Sequence, residues 1–236
     1  PVPVPICEVK QLLDEKRSGA IKGFLREEAH DILQYYPQPL FFPELEAQTK
    51  EEALQKLVFQ VEKLHPLPTG FYEAVCKREK MAHTCMGNRV AMPHPCQVLT
   101  EDTFVSVAVL KAPIQWDEQH EVQAIFLVSV SRQKNKKLQD FYATTARLLL
   151  DEQRIGQLIQ KRSYQTLRLW TTKGRNDMDE TKYAKAFELI MNAGNAKSLA
   201  LMAVESAREF DFEEAQKQLK ESQQEFHLAH QAQSDM

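Results

Sequence analysis

Pro93-His94 is the dipeptide that most constrains what this chain can fold into. It ends a short apolar run, residues 90–92, and that run follows Gly87. Glycine permits a backbone turn that is closed to most other residues, so the chain can fold back before the run begins. Proline has a fixed φ and no N–H, so it commonly closes a strand and presents the next side chain at the strand's end. We therefore predict that His94 is exposed, fixed in direction, and able to use one ring nitrogen as a nucleophile.

The composition is that of an ordinary globular protein. Of the 236 residues, 43% are hydrophobic and 27% are charged, which suits one large domain or two modest ones with an ample core. A net charge of −3 gives no field for holding nucleic acid non-specifically, and no apolar run approaches the length of a membrane span. The four cysteines show neither a disulfide framework nor a C-x-x-C pair, so we expect a reducing cytoplasm.

A helix is predicted directly after Thr49. Thr49 and Glu52 have the spacing of a capping box, in which the hydroxyl and the carboxylate each satisfy a backbone N–H of the other residue. Apolar residues then recur at helical spacing over residues 53–64 and form one buried face. A second helix is predicted over residues 71–80.

Two strands and two helices are predicted after Pro93-His94. Valines alternate with other residues over 103–110, which is the period of a strand with one strongly apolar face. The run 122–130 is apolar nearly throughout, which is typical of a strand covered on both faces. Residues 136–150 and 152–160 are predicted to be helices. This alternation indicates an α/β fold in which a sheet is layered with helices.

Residues 78–94, Arg-Glu-Lys-Met-Ala-His-Thr-Cys-Met-Gly-Asn-Arg-Val-Ala-Met-Pro-His, resemble the active-site loop of fructose/mannitol-type enzyme IIA domains of the bacterial phosphotransferase system. In that family the histidine of the Pro-His step carries a phosphoryl group. The order of predicted elements also matches, and we place this domain at residues 40–172. The resemblance implies an α/β fold with a mixed β-sheet layered with helices.

The resemblance assigns roles to five residues. His94 is the phosphoacceptor through Nε2, and Arg78 lies where family members place an arginine that neutralises phosphoryl charge. The alternative for Arg78 is a solvated arginine on the helix surface. Thr84 matches the family's threonine and is a candidate donor to phosphate, although its hydroxyl can equally fix the turn. Asn88 is a candidate orienting residue. Arg89 replaces a glycine common in the family and adds a cation near the site.

Two absences bear on function. Many transporter-type relatives carry a second histidine in the helix after the last strand, but this sequence has none between His120 and His227, which weakens the case for a fast sugar-transport carrier. Four potential zinc ligands lie close in sequence but not at a standard zinc spacing, so we predict no metal site and no other cofactor. These four are His83, Cys85, His94 and Cys96.

Both ends of the chain resemble other parts of the phosphotransferase system. Residues 1–39 resemble the end of a small enzyme IIB-like domain followed by a connector. Residues 173–180 are polar, contain a glycine, and are predicted to be a linker. Residues 181–236 resemble part of a lactose/cellobiose-type enzyme IIA, as a helical hairpin with helices at about 180–208 and 211–233.

The hairpin is predicted to pack rather than to react. The phosphoacceptor segment of the lactose/cellobiose family, His-x-Gln-Asp-His, is absent, so no phosphorylation role transfers to this part of the chain. Two amphipathic helices cannot cover all their apolar residues by themselves. We expect the hairpin either to dock on the main domain or to join copies of the chain as a homo-oligomer, and we favour self-association.

Two functions of different classes follow from the resemblance. In the favoured one, the carrier protein HPr phosphorylates His94, and the domain is a sugar-responsive regulatory module of a transcription activator or antiterminator, acting on upstream DNA- or RNA-binding domains of the same chain. In the alternative, the domain is a phosphocarrier that passes phosphate to an enzyme IIB in sugar uptake. The phosphohistidine chemistry is common to both. Neither requires direct nucleic-acid binding or a membrane span in residues 1–236.

Overall fold

A five-stranded mixed sheet forms the centre of the computed structural model, which describes residues 32–131, 136–172 and 180–234. The strands are β1 (Phe41–Leu45), β2 (Cys85–Gly87), β3 (Val90–Ala91), β4 (Phe104–Gln115) and β5 (Glu121–Ser129). Their spatial order is β1-β4-β5-β3-β2. The pairs β1–β4 and β3–β5 are parallel, whereas β4–β5 and β2–β3 are antiparallel. The short strand β3 therefore lies beside the long, buried strand β5.

Helices cover both faces of this sheet, which confirms the predicted layered α/β fold. One face carries α1 (Lys50–Glu62) and α2 (Phe71–Met81), and the other carries α3 (Lys136–Leu150), α4 (Glu152–Lys161) and α5 (Tyr164–Thr172). A single 3₁₀ turn, Gln38–Leu40, precedes β1. Each layer has its own buried cluster of apolar side chains, so the domain has two cores separated by the sheet.

Strand β4 has the predicted apolar face of valines, but it is buried on both faces over its first seven residues. Its valines lie in the core under α3, whereas alternate residues lie in the core under α1 and α2. The second face is hard to recognise in the sequence because it includes Ser106, which is polar, and Ala108, which is small. Ser106 is fully buried but donates its hydroxyl to the Leu40 carbonyl at 3.0 Å, which satisfies it.

Helix α1 begins as predicted, with one difference in its cap. The Thr49 hydroxyl accepts the Glu52 backbone N–H at 3.2 Å, but the Glu52 carboxylate accepts the Gln48 N–H at 2.8 Å instead of the Thr49 N–H. The helix ends at Glu62, so Leu64 falls outside the apolar face and is exposed. The capping signal therefore located the start of the helix correctly and missed its end.

Three features near the ends of this domain were not predicted. No strand was predicted at β1 and no helix at α5, and Tyr35 and Tyr36 were assigned to the connector. Both tyrosines lie in the core against Phe141, and the Tyr36 hydroxyl hydrogen-bonds that of Thr145. The packed domain thus begins before residue 40. Of the predicted segments, residues 1–31 and 173–179 lie outside the described residues.

The C-terminal residues form the predicted helical hairpin. Helix α6 spans Glu180–Arg208 and α7 spans Phe212–Ser234, with a reversal at Phe210, whose φ of 63° is left-handed. The helices pack closely because α7 turns a face of small and polar residues toward α6. That face consists of Ala215, Gln218, Ser222, Ala229 and Ala232. The hairpin docks on the main domain, where α6 packs against α3 and against α2.

Candidate functional site

A tight reversal joins β2 to β3 and sets the direction of the chain before Pro93. Gly87, Asn88 and Arg89 all have positive φ values, of 78°, 50° and 61°. Glycine tolerates this region freely, and asparagine tolerates it better than most side chains. Arg89 adopts the left-handed conformation that a glycine in its place would adopt without strain. The predicted turn at Gly87 is thus present, and it is three residues long.

Backbone hydrogen bonds hold the segment before His94 from both sides. The Met92 N–H donates to the Thr84 carbonyl at 3.0 Å, and the Val128 N–H donates to the Pro93 carbonyl at 3.0 Å. Val90 and Ala91 pair with β5 in parallel. Because Pro93 donates no hydrogen bond of its own, regular pairing stops there, and His94 leaves the end of the strand.

One ring nitrogen of His94 is held by the backbone. Nδ1 lies 2.8 Å from the Met92 carbonyl oxygen, which can only accept, so Nδ1 carries the proton. The neutral ring therefore has a bare Nε2. Burial, assisted by the charge of Arg78, lowers the pKa of His94 to about 4. The imidazole is neutral near pH 7, which is the form that a nucleophile requires.

His94 is buried, so the prediction that it is exposed is wrong. Only 4% of the residue is accessible, because α6 lies over the ring. Nε2 is 3.3 Å from the side-chain amide of Asn195 on that helix. The Asn195 atom that faces the ring is Oδ1, an acceptor like the bare Nε2. A hydrogen bond here therefore requires the amide to turn its NH₂ group toward the ring.

Arg78 lies beside His94 and is buried, which rules out the solvated-surface alternative. Its Nη1 donates to the Ala82 carbonyl at 2.6 Å, within the same α2 terminus. Among the described residues its buried Nε has no acceptor. Burial lowers the pKa of Arg78, as expected for a cation held out of water. The guanidinium therefore has hydrogen-bonding capacity left for an anion next to Nε2.

Glu79 fixes the chain between α2 and β2. This carboxylate is almost fully buried, and it accepts the Thr84 N–H at 3.1 Å and the Thr84 hydroxyl at 2.5 Å. It also accepts the Trp116 indole N–H at 2.7 Å, from the far end of β4. These bonds tie Thr84 in place, and the Thr84 carbonyl in turn holds Met92. Sequence reasoning missed this role, since a glutamate beside an arginine carries no signal of burial.

Three of the five predicted site residues are not brought to the His94 ring. The Thr84 hydroxyl proton is committed to Glu79, so Thr84 fixes the turn as the alternative prediction held. The Asn88 amide donates to the Leu149 carbonyl at 3.3 Å. Arg89 is exposed at the opposite end of the β3 segment, about 16 Å away at ~3.3 Å per residue. It lines an open depression of about 440 Å³ with His120 and Glu121.

The four potential zinc ligands noted in the sequence do not converge. His83 lies 3.7 Å from Glu79, and His94 is held by Met92. Within the part of the chain that the structure describes, a different trio brings ligand atoms within 4.8 Å of one another, namely Cys85, Asp117 and His120. There the Asp117 carboxylate already accepts the His120 ring N–H at 2.8 Å and two backbone N–H groups, so the turn between β4 and β5 explains the cluster.

The chain belongs to the enzyme IIA family of the phosphoenolpyruvate-dependent sugar phosphotransferase system, in the class described as EIIA 2. The model of that family matches residues 36–169, more than half of the chain. A second family model, the lactose/cellobiose-specific IIA subunit of the same system, matches residues 184–236. The two matches correspond to the sheet domain and to the hairpin.

Two relatives of this chain are regulators from Bacillus subtilis. The chain is 34% identical over 166 residues to the probable licABCH operon regulator of Bacillus subtilis, which covers 70% of this chain and 26% of that protein. It is 23% identical over 141 residues to the transcriptional regulator ManR of the same organism, covering 56% and 22% respectively. The chain thus spans about a quarter of the length of these relatives.

A solved structure agrees with the fold. The nitrogen regulatory protein IIA-Ntr of Neisseria meningitidis superposes with a TM-score of 0.50 at 17% identity, over 58% of this chain and 97% of that one.

Across the described residues, none of the helices is both long enough and apolar enough to cross a membrane.

Two residues at the site come from the hairpin, to which the sequence assigned no phosphorylation role. Asn195 contacts Nε2 of His94, and Gly194 faces Arg78, where an added Cβ would lie 2.7 Å from Nη2. The sequence carries one indication here, since Ala193, Gly194, Ala196 and Ala200 are small residues of the kind that close helix packing requires. What it did not indicate is that the partner in that packing is the His94 site.

Proposed function

We propose that this chain is a phosphoacceptor module in which His94 Nε2 receives a phosphoryl group from the carrier protein HPr. The observation that carries the proposal is the hydrogen bond from Nδ1 to the Met92 carbonyl, which leaves Nε2 bare on a neutral ring. In the transfer, the Nε2–P bond forms as the N–P bond of the donor's phosphohistidine breaks. Arg78 supplies positive charge beside the incoming group, and phosphoryl transfer depends chiefly on such positioning and charge.

Labelling with phosphorylated HPr tests this assignment. The wild-type chain is expected to take up label that is lost in acid and kept in base, and His94→Ala is expected to take up none. The matched control is His230→Ala, because His230 lies on the exposed face of the hairpin far along the sequence. Full labelling of His94→Ala would refute the assignment, and loss of label in His230→Ala alone would move the acceptor to the hairpin.

The regulators among the relatives support a regulatory setting. We propose that phosphorylation of His94 reports sugar supply to upstream DNA- or RNA-binding domains of a longer cytoplasmic chain, through added charge and altered docking. An enzyme IIB domain is the expected partner for exchange of phosphate. If instead the chain is a carrier for sugar uptake, the phosphorylated protein mixed with enzyme IIB should transfer its label to IIB as fast as uptake of the sugar requires. Slow or absent transfer favours regulation.

We also propose that the outer face of the hairpin joins copies of the chain. Helix α7 exposes three large apolar side chains at seven-residue spacing, Phe212, Leu219 and Phe226, while its small residues face α6. Such a stripe is typical of a helix that has a further partner. Sedimentation of the wild type against Leu219→Glu should show a reduced number of subunits in the variant. An unchanged number of subunits in a folded variant would refute this interface.

A further inference from the structure

Helix α6 covers the surface on which a phosphoryl donor has to dock. The Asn195 amide lies 3.3 Å from the nucleophilic Nε2, in the position where phosphorus would have to approach. Gly194, one residue earlier, lies directly over the Arg78 guanidinium. With 4% of His94 accessible, another protein cannot bring a phosphohistidine to this ring while the hairpin is docked.

The contact is continuous beyond the histidine. Ser198, one turn after Gly194, is fully buried, and its hydroxyl lies against the Cys96 thiol. Gln97 donates its side-chain amide to the Glu221 carboxylate of α7 at 3.2 Å. Met191, one turn before Asn195, lies in the core cluster under α3. The hairpin thus follows the chain from His94 to Gln97 and is anchored on both sides of the ring.

We propose that the surface around His94 has two mutually exclusive occupants, the chain's own helix α6 and the phosphoryl donor protein, so that the hairpin is an autoinhibitory element. The inference rests on the proposed phosphoacceptor function, and it adds a step that this function does not contain. The hairpin has to leave before transfer. A phosphoryl group on Nε2 then occupies the place of the Asn195 amide, so the hairpin cannot return.

The negative charge of a phosphoryl group on His94 also disfavours docking of the hairpin. A phosphoryl group adds about −1.5 to −2 charges at pH 7. The hairpin brings acidic side chains to this neighbourhood, with Glu221 on Gln97 and Glu225 near both Cys96 and Tyr142. Repulsion between these carboxylates and the phosphoryl group disfavours docking. Because coupling between two sites is reciprocal, a docked hairpin disfavours phosphorylation by the same free energy.

A reversible lock tests the inference in the full chain. Ser198→Cys places a thiol opposite Cys96, and the pair can be joined by oxidation, or by a short bifunctional thiol reagent, and released by a reductant. The joined form, verified by mass, is expected to take label from phosphorylated HPr at least about tenfold more slowly than the reduced form, within the range of coupled sites. The wild type under the same oxidation is the control and should be unaffected.

A release variant tests the opposite direction. Gly194→Leu places a side chain where a Cβ alone lies 2.7 Å from Nη2 of Arg78. The end of the arginine side chain can yield to one carbon, but the whole branched leucine should also press α6 away from the site, and leucine does not weaken the helix itself. Label uptake should rise about tenfold. The matched control is Val204→Leu, an exposed position on the same helix, which should leave the rate unchanged.

Modification of His94 by diethyl pyrocarbonate gives a readout that needs no phosphate donor. We expect protection in the locked form and rapid modification in Gly194→Leu. Equal modification and equal labelling of the locked and released forms would overturn autoinhibition. If His94 is freely modified in Gly194→Leu and no form takes up label, the proposed phosphoacceptor function fails, and the donor protein is excluded as an occupant.

Discussion

The loop from Arg78 to His94 and the α6–α7 hairpin bring polar groups to the same point, but different interactions hold them there. The loop is fixed by backbone hydrogen bonds to β5 and by the buried Glu79 carboxylate. The hairpin contacts the site through side chains, since Asn195 lies on the His94 ring and Glu221 accepts a hydrogen bond from Gln97. The difference separates two tasks. The proposed acceptor nitrogen is held against the sheet, whereas its cover, in the autoinhibition proposed above, is an element that leaves without unfolding the sheet.

The largest effect is expected for Glu79→Ala, which tests the rigidity of the loop. Removing the carboxylate leaves two Thr84 donors and the Trp116 indole without an acceptor in a buried place. We expect the free energy of unfolding to fall by about 3–5 kcal/mol, measured by urea denaturation. The matched control is Glu46→Ala, an exposed partner of Lys111, for which a loss of at most ~1 kcal/mol is expected. Equal losses would show that the loop does not depend on Glu79.

Acid should destabilise the site through His94. Its pKa is about 4 in the folded chain against 6.5 ordinarily, so the unfolded chain binds the extra proton first as the pH falls. Stability is full above about pH 6.5 and is lost progressively down to about pH 4, by up to about 3 kcal/mol. Denaturation of the wild type and of His94→Gln over this range measures the effect. If the free energy of unfolding depends on pH in the same way in the wild type and in His94→Gln, a buried and neutral His94 is contradicted.

Substitution of Arg78 tests whether the loop from Arg78 to His94 also supplies the positive charge for phosphoryl transfer. We expect Arg78→Ala to slow phosphorylation of His94 by about 1–3 kcal/mol in activation free energy, the range of a charged hydrogen bond, in a chain that remains folded. Lys80→Ala, an exposed cation on the same helix, is the matched control and should keep the wild-type rate. An unchanged rate in folded Arg78→Ala would leave Arg78 with a structural role only.

The smallest effect should be confined to the hairpin. The Ser222 hydroxyl donates to the Ala196 carbonyl at 2.7 Å between α7 and α6. Ser222→Ala should cost about 1 kcal/mol, seen as faster amide hydrogen exchange in the two helices and not in β4 or β5. The exposed Gln224→Ala on the same helix is the control. Faster exchange throughout the sheet would show that hairpin and domain open as one unit.

The predictions that succeeded depend on neighbours in sequence. The helix start at Thr49, the turn at Gly87 and the breaks between the C-terminal helices are short-range signals, and the structure confirms them. Strand β1 and helix α5 were missed because their residues gain order from packing on β4 and the α3 core, with little periodicity of their own. The same holds for Tyr36, whose burial depends on Thr145, 109 residues away.

The sequence by itself determined the family, the layered α/β fold and the position of the histidine proposed as the phosphoacceptor, because the Pro-His step and its turn act within one short segment. Only the tertiary structure decided the state of that histidine. Its burial, its low pKa and its contact with Asn195 arise from a helix about one hundred residues further on, and desolvation depends on what lies around a group in space. Short-range sequence patterns do not predict the surface on which a hairpin packs.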